Sequence, residues 1–87
     1  MTNSVQDNLN RIDKGVGAAI RARRIDRKLS QTDIASACGV SFQQVQKYES
    51  AMNRVSASRL VQIAEALDTT AGALIDVATE QVQGDDQ

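Results

Sequence analysis

Apolar residues recur along this chain at intervals of three and four, the period of helices buried along one side. Val5, Leu9, Ile12 and Val16 form one such line, and Val16, Ile20 and Arg24 continue it. This spacing predicts helix 1 from about Asp13 to Arg27, with Ile25 beside the line and Leu29 sealing the connection to the next helix. Residues 1–11 are polar around Val5 and Leu9. Ser4 to Asp7 has the form of a capping box with Asp in the acidic position, while Gly15 and Gly17 weaken helical continuity. Residues 1–11 are therefore read as a flexible arm or a short helix ahead of the domain.

Residues 31–50 hold two short helical patterns hinged at one glycine. Ile34, Cys38, Val40, Val45 and Tyr48 supply the apolar positions, and Ala35 marks a close helix crossing. Gly39 can take a left-handed turn without a Cβ penalty, and Ser41 is a good N-cap for the second of the two helices. This spacing predicts a helix-turn-helix, with helix 2 over roughly 31–38 and helix 3 over roughly 42–49. Ser30, with Asp33 three residues on, predicts a capping box for helix 2. Ser50 to Val55 read as a loop. Ser56 caps helix 4, whose stripe is Leu60, Ile63, Ala64 and Leu67. Asp68, Thr69 and Thr70 end it and cap helix 5, about 71–78, with Leu74 and Ile75 facing inward. The expected architecture is all-α: a five-helix domain over 12–78, then an acidic tail over 79–87 too polar to order itself.

Helix 3 carries the most telling surface. With Val45 and Tyr48 turned inward, its outer face presents Phe42, Gln43, Gln44, Gln46 and Lys47. A row of amides is unusual on a merely solvated helix, and it suits a surface that reads base edges: glutamine can pair with adenine and lysine with guanine. The net charge of −1 would seem to oppose nucleic-acid binding, but the charge is polarised. Residues 15–30 carry +4 and residues 61–87 carry −6. Such a domain can offer a basic face to phosphate while its far end stays acidic.

Composition narrows the alternatives. The 87 residues are 41% hydrophobic, with one Phe and one Tyr as the only aromatics and no proline, so one aliphatic, helical core is expected. There is no histidine, no glycine-rich phosphate loop and no metal-ligand spacing, so neither enzymatic chemistry nor a metal or other cofactor is expected. The lone Cys38 occupies an apolar slot and is expected to be inert, with redox sensing the lesser reading. No apolar run nears 18 residues and no signal-peptide pattern opens the chain, so a cytoplasmic, nucleoid-associated protein away from membranes is expected.

Several motifs carry a family resemblance. Ile20-Arg21-Ala22-Arg23-Arg24, Leu29-Ser30-Gln31, Ile34-Ala35, Gly39-Val40-Ser41, Val45-Gln46-Lys47-Tyr48-Glu49 and Leu60…Ile63-Ala64-Glu65-Ala66-Leu67 keep their spacing over about Val16 to Ile75. This stretch resembles the Cro/CI-type (Xre-like) helix-turn-helix domain of phage and bacterial repressors. The resemblance implies a lambda-repressor-like fold in which helix 3 enters the major groove of double-stranded DNA. Ser41, Phe42, Gln43, Gln44, Gln46 and Lys47 would meet the bases. It implies phosphate contacts from Gln31 at the start of helix 2 and from Asn53 and Arg54 after helix 3, with Arg21 and Arg23 as weaker candidates. It also implies a partly buried ion pair between Arg24 and Glu49. The chain departs from the family pattern after Glu49: many relatives place Asn-Gly or Lys-Gly there, whereas Ser50 and Ala51 stand here. Without the glycine, a left-handed cap at Ala51 is disfavoured.

The function expected from these features is transcriptional regulation, repression above all, by a homodimer on a palindromic operator. One helix-turn-helix reads too few base pairs to find a promoter alone. Leu74, Val77, Val5 and Leu9 are the apolar residues left for a dimer interface. Two other readings stay open: an antitoxin that binds a toxin and represses its own promoter, and a protein-interaction module on the same fold. Polymerase is a further candidate partner.

Overall fold

Five α-helices make up the regular structure of residues 4–85, the part that the computed structural model describes, with side chains described over 5–80. They are α1 (Ser4–Asp26), α2 (Gln31–Cys38), α3 (Phe42–Glu49), α4 (Ala57–Ala66) and α5 (Ala71–Asp85), and no strand occurs among the described residues. The arm and tail expected from sequence extend into residues 1–3 and 86–87, which lie outside the described residues.

Both outer helices are longer than the periodicity predicts. Instead of starting near Asp13, α1 begins at Ser4 and passes unbroken through Gly15 and Gly17. The reason is close packing. A Cβ at position 15 would stand 3.0 Å from the Cα and Cβ of Ala78 on α5. One at position 17 would stand 2.6 Å from the carbonyl oxygens of Tyr48 and Glu49 at the end of α3. The two bare positions let α1 close on both neighbours, and that tertiary contact outweighs a propensity loss of about 1 kcal/mol per glycine. Helix α5, expected to end near Ala78, continues to Asp85. It runs antiparallel to α1, with Gly15 against Ala78 and Arg23 reaching Leu67 and Asp68. The pair shares the most extensive helix–helix contact and draws the molecule out to 43 × 20 × 20 Å.

The core is aliphatic. Ile20, Ile34, Val45, Ile63 and Leu67 are each under 2% exposed, and Ala19, Ala35, Ala64, Leu60 and Leu74 close around them. Ile75, expected to face inward, points out at 40% exposed, and Ile25, placed beside the buried line of α1, is 54% exposed. At about 100° per residue, Ile25 lies roughly 140° around α1 from Ile20. On α5 the buried line is Ala71, Leu74 and Ala78, one residue out of phase with Ile75.

The starts of α2 to α5 are capped as the sequence predicts, while the cap expected from Ser4 lies outside the described side chains. Ser30 and Asp33 form a reciprocal capping box, with the Ser30 N–H donating to Asp33 Oδ2 at 2.8 Å and the Asp33 N–H to Ser30 Oγ at 3.0 Å. Hydrogen bonding from Ser30, its backbone N–H first and its hydroxyl second, holds the Asp33 carboxyl below the usual carboxylate range. The hydroxyls of Ser41, Ser56 and Thr70 cap α3, α4 and α5 by accepting from the N–H groups of Gln44, Arg59 and Ala73. Gly39 ends α2 at φ 68°, left-handed, as the turn into α3 requires.

Ala51 overturns the expectation drawn from its missing glycine, for it is left-handed all the same, at φ 62°. The turn is held by the Ser50 N–H on the Gln46 carbonyl and the Asn53 N–H on the Lys47 carbonyl, at 3.0 and 3.2 Å. This conformation costs an L-residue roughly 1–2 kcal/mol, so Ala51→Gly should relieve it. The glycine gives back part of the gain through the unfolded chain. A net stabilisation of about 0.5–1 kcal/mol is expected, read as a higher midpoint in urea; an equal or lower midpoint would show that Ala51 is not strained.

Candidate nucleic-acid interface

Helix α3 divides cleanly into a held side and an open side. Val45 is 1% exposed and Tyr48 packs against the core. Phe42, Gln43, Gln46 and Lys47 share the opposite face, all exposed, with Phe42 at 45%; Gln44 is half-buried at the edge. Ser41 stands at the mouth of this face, its hydroxyl accepting from the Gln44 N–H at 3.1 Å.

The far end of α3 is fixed to α1 by a bidentate ion pair. Arg24 Nε donates to Glu49 Oε2 at 2.7 Å and Arg24 Nη2 to Glu49 Oε1 at 3.1 Å. The side chains are 12% and 5% exposed. Hydrogen bonding to Glu49 raises the Arg24 pKa above its ordinary value, against the opposing effect of burial. Arg24 Nη1 also donates to the Leu29 carbonyl at 3.0 Å, which pins the α1–α2 connection. Gln31 completes the network from α2: its amide donates to Glu49 Oε1 at 3.0 Å. One carboxylate thus joins α1, α2 and α3.

The residues nominated for phosphate separate into three groups. Arg21 and Gln31 border one shallow depression together with Gln46 of α3, so they flank the open face. Asn53 and Arg54 lie exposed in the loop after α3, where Arg54 Nε pairs with Asp13 of α1 at 3.1 Å. Arg23 is turned elsewhere. Its Nε donates to the Leu67 carbonyl at 3.0 Å and its Nη2 to the Asp68 carbonyl at 2.7 Å, so it caps the C-terminus of α4. A cation suits that end of a helix, and the nomination of Arg23 for phosphate is corrected accordingly. The same correction applies to Leu74 as an interface residue: it is 4% exposed, inside the core. Val5, Leu9 and Val77 remain exposed at 69%, 47% and 43%.

Three residues that position the site carry no assignment from sequence. Gly17 sets how closely α1 meets the end of α3; the small-residue run Gly15 to Ala19 was the available signal. Arg59 on α4 donates to the Cys38 carbonyl at 2.8 Å and so ties the end of α2, just before the turn, to the body. Asp13 faces Arg54. Neither Arg59 nor Asp13 belongs to a recognisable local pattern. Cys38 itself is buried, and that burial pushes its thiol pKa up in spite of Arg59 nearby.

Comparison with known proteins agrees with this geometry. A family model described as helix-turn-helix matches residues 20–74. The chain is 55% identical over 58 residues to an uncharacterized HTH-type transcriptional regulator of Sinorhizobium fredii, covering 67% of this chain and 41% of that protein. It is 51% identical over 59 residues to an uncharacterized transcriptional regulator in the ATPase CF(0) region of Rhodospirillum rubrum, covering 68% and 55%. The matched part therefore spans only about half the length of these relatives. Among solved structures, the clp gene regulator ClgR from Corynebacterium glutamicum has the same fold, with a TM-score of 0.79 at 24% identity over 83% of this chain and 77% of that one. The matched segment contains all of α2, α3 and α4 together with Arg24 and Glu49, and the chain belongs to the Xre/Cro–CI-type helix-turn-helix family.

Proposed function

We propose that this chain is a sequence-specific DNA-binding transcriptional regulator, a repressor that occupies a palindromic operator as a homodimer. The observation that carries this reading is the open face of α3. Phe42, Gln43, Gln46 and Lys47 project from a helix whose angle is fixed from behind by Glu49. Gln43 and Lys47 lie one turn apart, so both can enter one major groove and offer bidentate partners to adenine and guanine. Arg21 and Gln31 on one flank and Asn53 and Arg54 on the other are suited to the phosphates bordering that groove. Dimerisation through the exposed Val77, Val5 and Leu9 would set half-sites about 10–10.5 base pairs apart or at a multiple of that spacing. Repression results from occupancy, at the nucleoid.

The test is selection of bound duplexes from a random library, then titration on the selected site and a scrambled one at two salt concentrations. Affinity for both should fall with salt at a slope of about −0.9 per phosphate neutralised. Gln43→Ala and Lys47→Ala should each lose about 1–3 kcal/mol on the selected site and much less on the scrambled one. Lys47→Ala should also flatten the salt slope slightly. Equal losses on both duplexes for Gln43→Ala would mean that α3 positions the protein without reading sequence there.

A further inference from the structure

The loop after α3 folds back over α1, so that Asn10, Asp13 and Lys14 face Ala51, Met52 and Arg54 across one shallow depression. Within it the Arg54 guanidinium is paired with Asp13, Nε lying 3.1 Å from Oδ2. Arg54 is 69% exposed and Asp13 32%, so the pair is open to solvent and to any larger anion that approaches the loop. The backbone leading to Arg54 is set by the left-handed Ala51 and by the Asn53 N–H on the Lys47 carbonyl. The guanidinium is therefore presented beside the last turn of the reading helix with a carboxylate already on it.

We propose that Asp13 is an affinity-setting residue: it holds Arg54 in the unbound protein and competes with the DNA backbone for it. This inference rests on the DNA-binding reading above and concerns how strongly, rather than which, DNA is held. A phosphate that engages Arg54 must displace Asp13 or share the guanidinium with it. Displacement costs the existing ion pair, and sharing places the phosphate next to a second negative charge. Asp13 thus lowers affinity for every sequence alike, and so keeps binding dependent on the base contacts of α3. An exposed pair of this kind is weak, so the restraint is a bias and not a lock.

The experiment is a double-mutant cycle of Asp13→Asn and Arg54→Ala, titrated on the selected operator and on a scrambled duplex at low and moderate salt. Asp13→Asn keeps the size of the side chain and removes its charge. It should tighten binding to both duplexes by about 2- to 5-fold per protomer at low salt, and by less as salt screens the exposed pair. In the Arg54→Ala background the gain should vanish. A gain that persists there comes from general charge alone and overturns the proposal, as does an Asp13→Asn protein that binds no tighter than wild type. Thermal melting of the four proteins should agree within a few degrees, which separates the affinity change from a change in fold. A wild-type protein that binds no duplex at any salt overturns the DNA-binding reading, and this inference with it.

Discussion

Glu49→Ala should lower stability by about 3–5 kcal/mol, because it strands the charge of Arg24 where little water can reach it. The carboxylate is 5% exposed and accepts from Arg24 twice and from Gln31 once. After its removal the guanidinium keeps only the Leu29 carbonyl, and the Gln31 amide loses its partner. Domains of this size hold roughly 5–15 kcal/mol in all. A loss of about 4 kcal/mol should bring the melting temperature down by more than about 10 °C. Glu49→Gln provides the comparison: it preserves shape and part of the hydrogen bonding but removes the charge, and should fall between. A melting temperature unchanged in Glu49→Ala would mean that the three-helix junction contributes nothing to stability.

Gly17→Ala is expected to be the most damaging conservative substitution in the chain. Its new methyl carbon would sit 2.6 Å from two backbone carbonyl oxygens, those of Tyr48 and Glu49, neither of which can swing aside as a side chain could. Forcing an extra carbon into a packed contact costs about 1–3 kcal/mol, and the helical preference for alanine gives back up to about 1 kcal/mol. The clash pushes α1 away from the end of α3, so DNA affinity should fall further than stability does. Two other glycines grade the effect. Gly15→Ala meets Ala78 at 3.0 Å and should be milder, while Gly72 on α5 has open space and should gain about 0.5–1 kcal/mol from the same change. Denaturation midpoints and operator titrations of the three variants provide the check. An order other than Gly17 worst and Gly72 best would show that the close approach of α1 to α3 is not what requires glycine.

The parts of this molecule legible in its sequence are those encoded locally. Ser30 with Asp33, Gly39 and Ser41 each act on their own neighbours, and the helix-turn-helix emerges from them within a residue of its expected bounds. The periodicity of Ile34, Val45, Leu60, Ile63 and Leu67 marked out the core. What stayed hidden depends on partners distant in the chain. Nothing around Gly17 tells of Glu49, and nothing around Arg23 tells of the carbonyls at Leu67 and Asp68. A run of arginines therefore reads as a basic face, although Arg23 is engaged within the protein, as the resemblance implied only for Arg24. Ala51 is instructive in the other direction. Local propensity disfavours its conformation, and the hydrogen bonds of the surrounding turn impose it.

The division of α3 into a held side and an open side bears on how such a protein can change over generations. Gln43, Gln46 and Lys47 make no side-chain hydrogen bond or ion pair with the described residues of the domain, whereas Glu49, Val45 and Tyr48 secure the helix. Substitutions on the open face therefore leave folding almost untouched. Under the proposed function, a lineage could acquire a new operator by small steps, each intermediate still a well-folded protein. Duplicate copies in one genome could part company in their targets while sharing an unchanged scaffold.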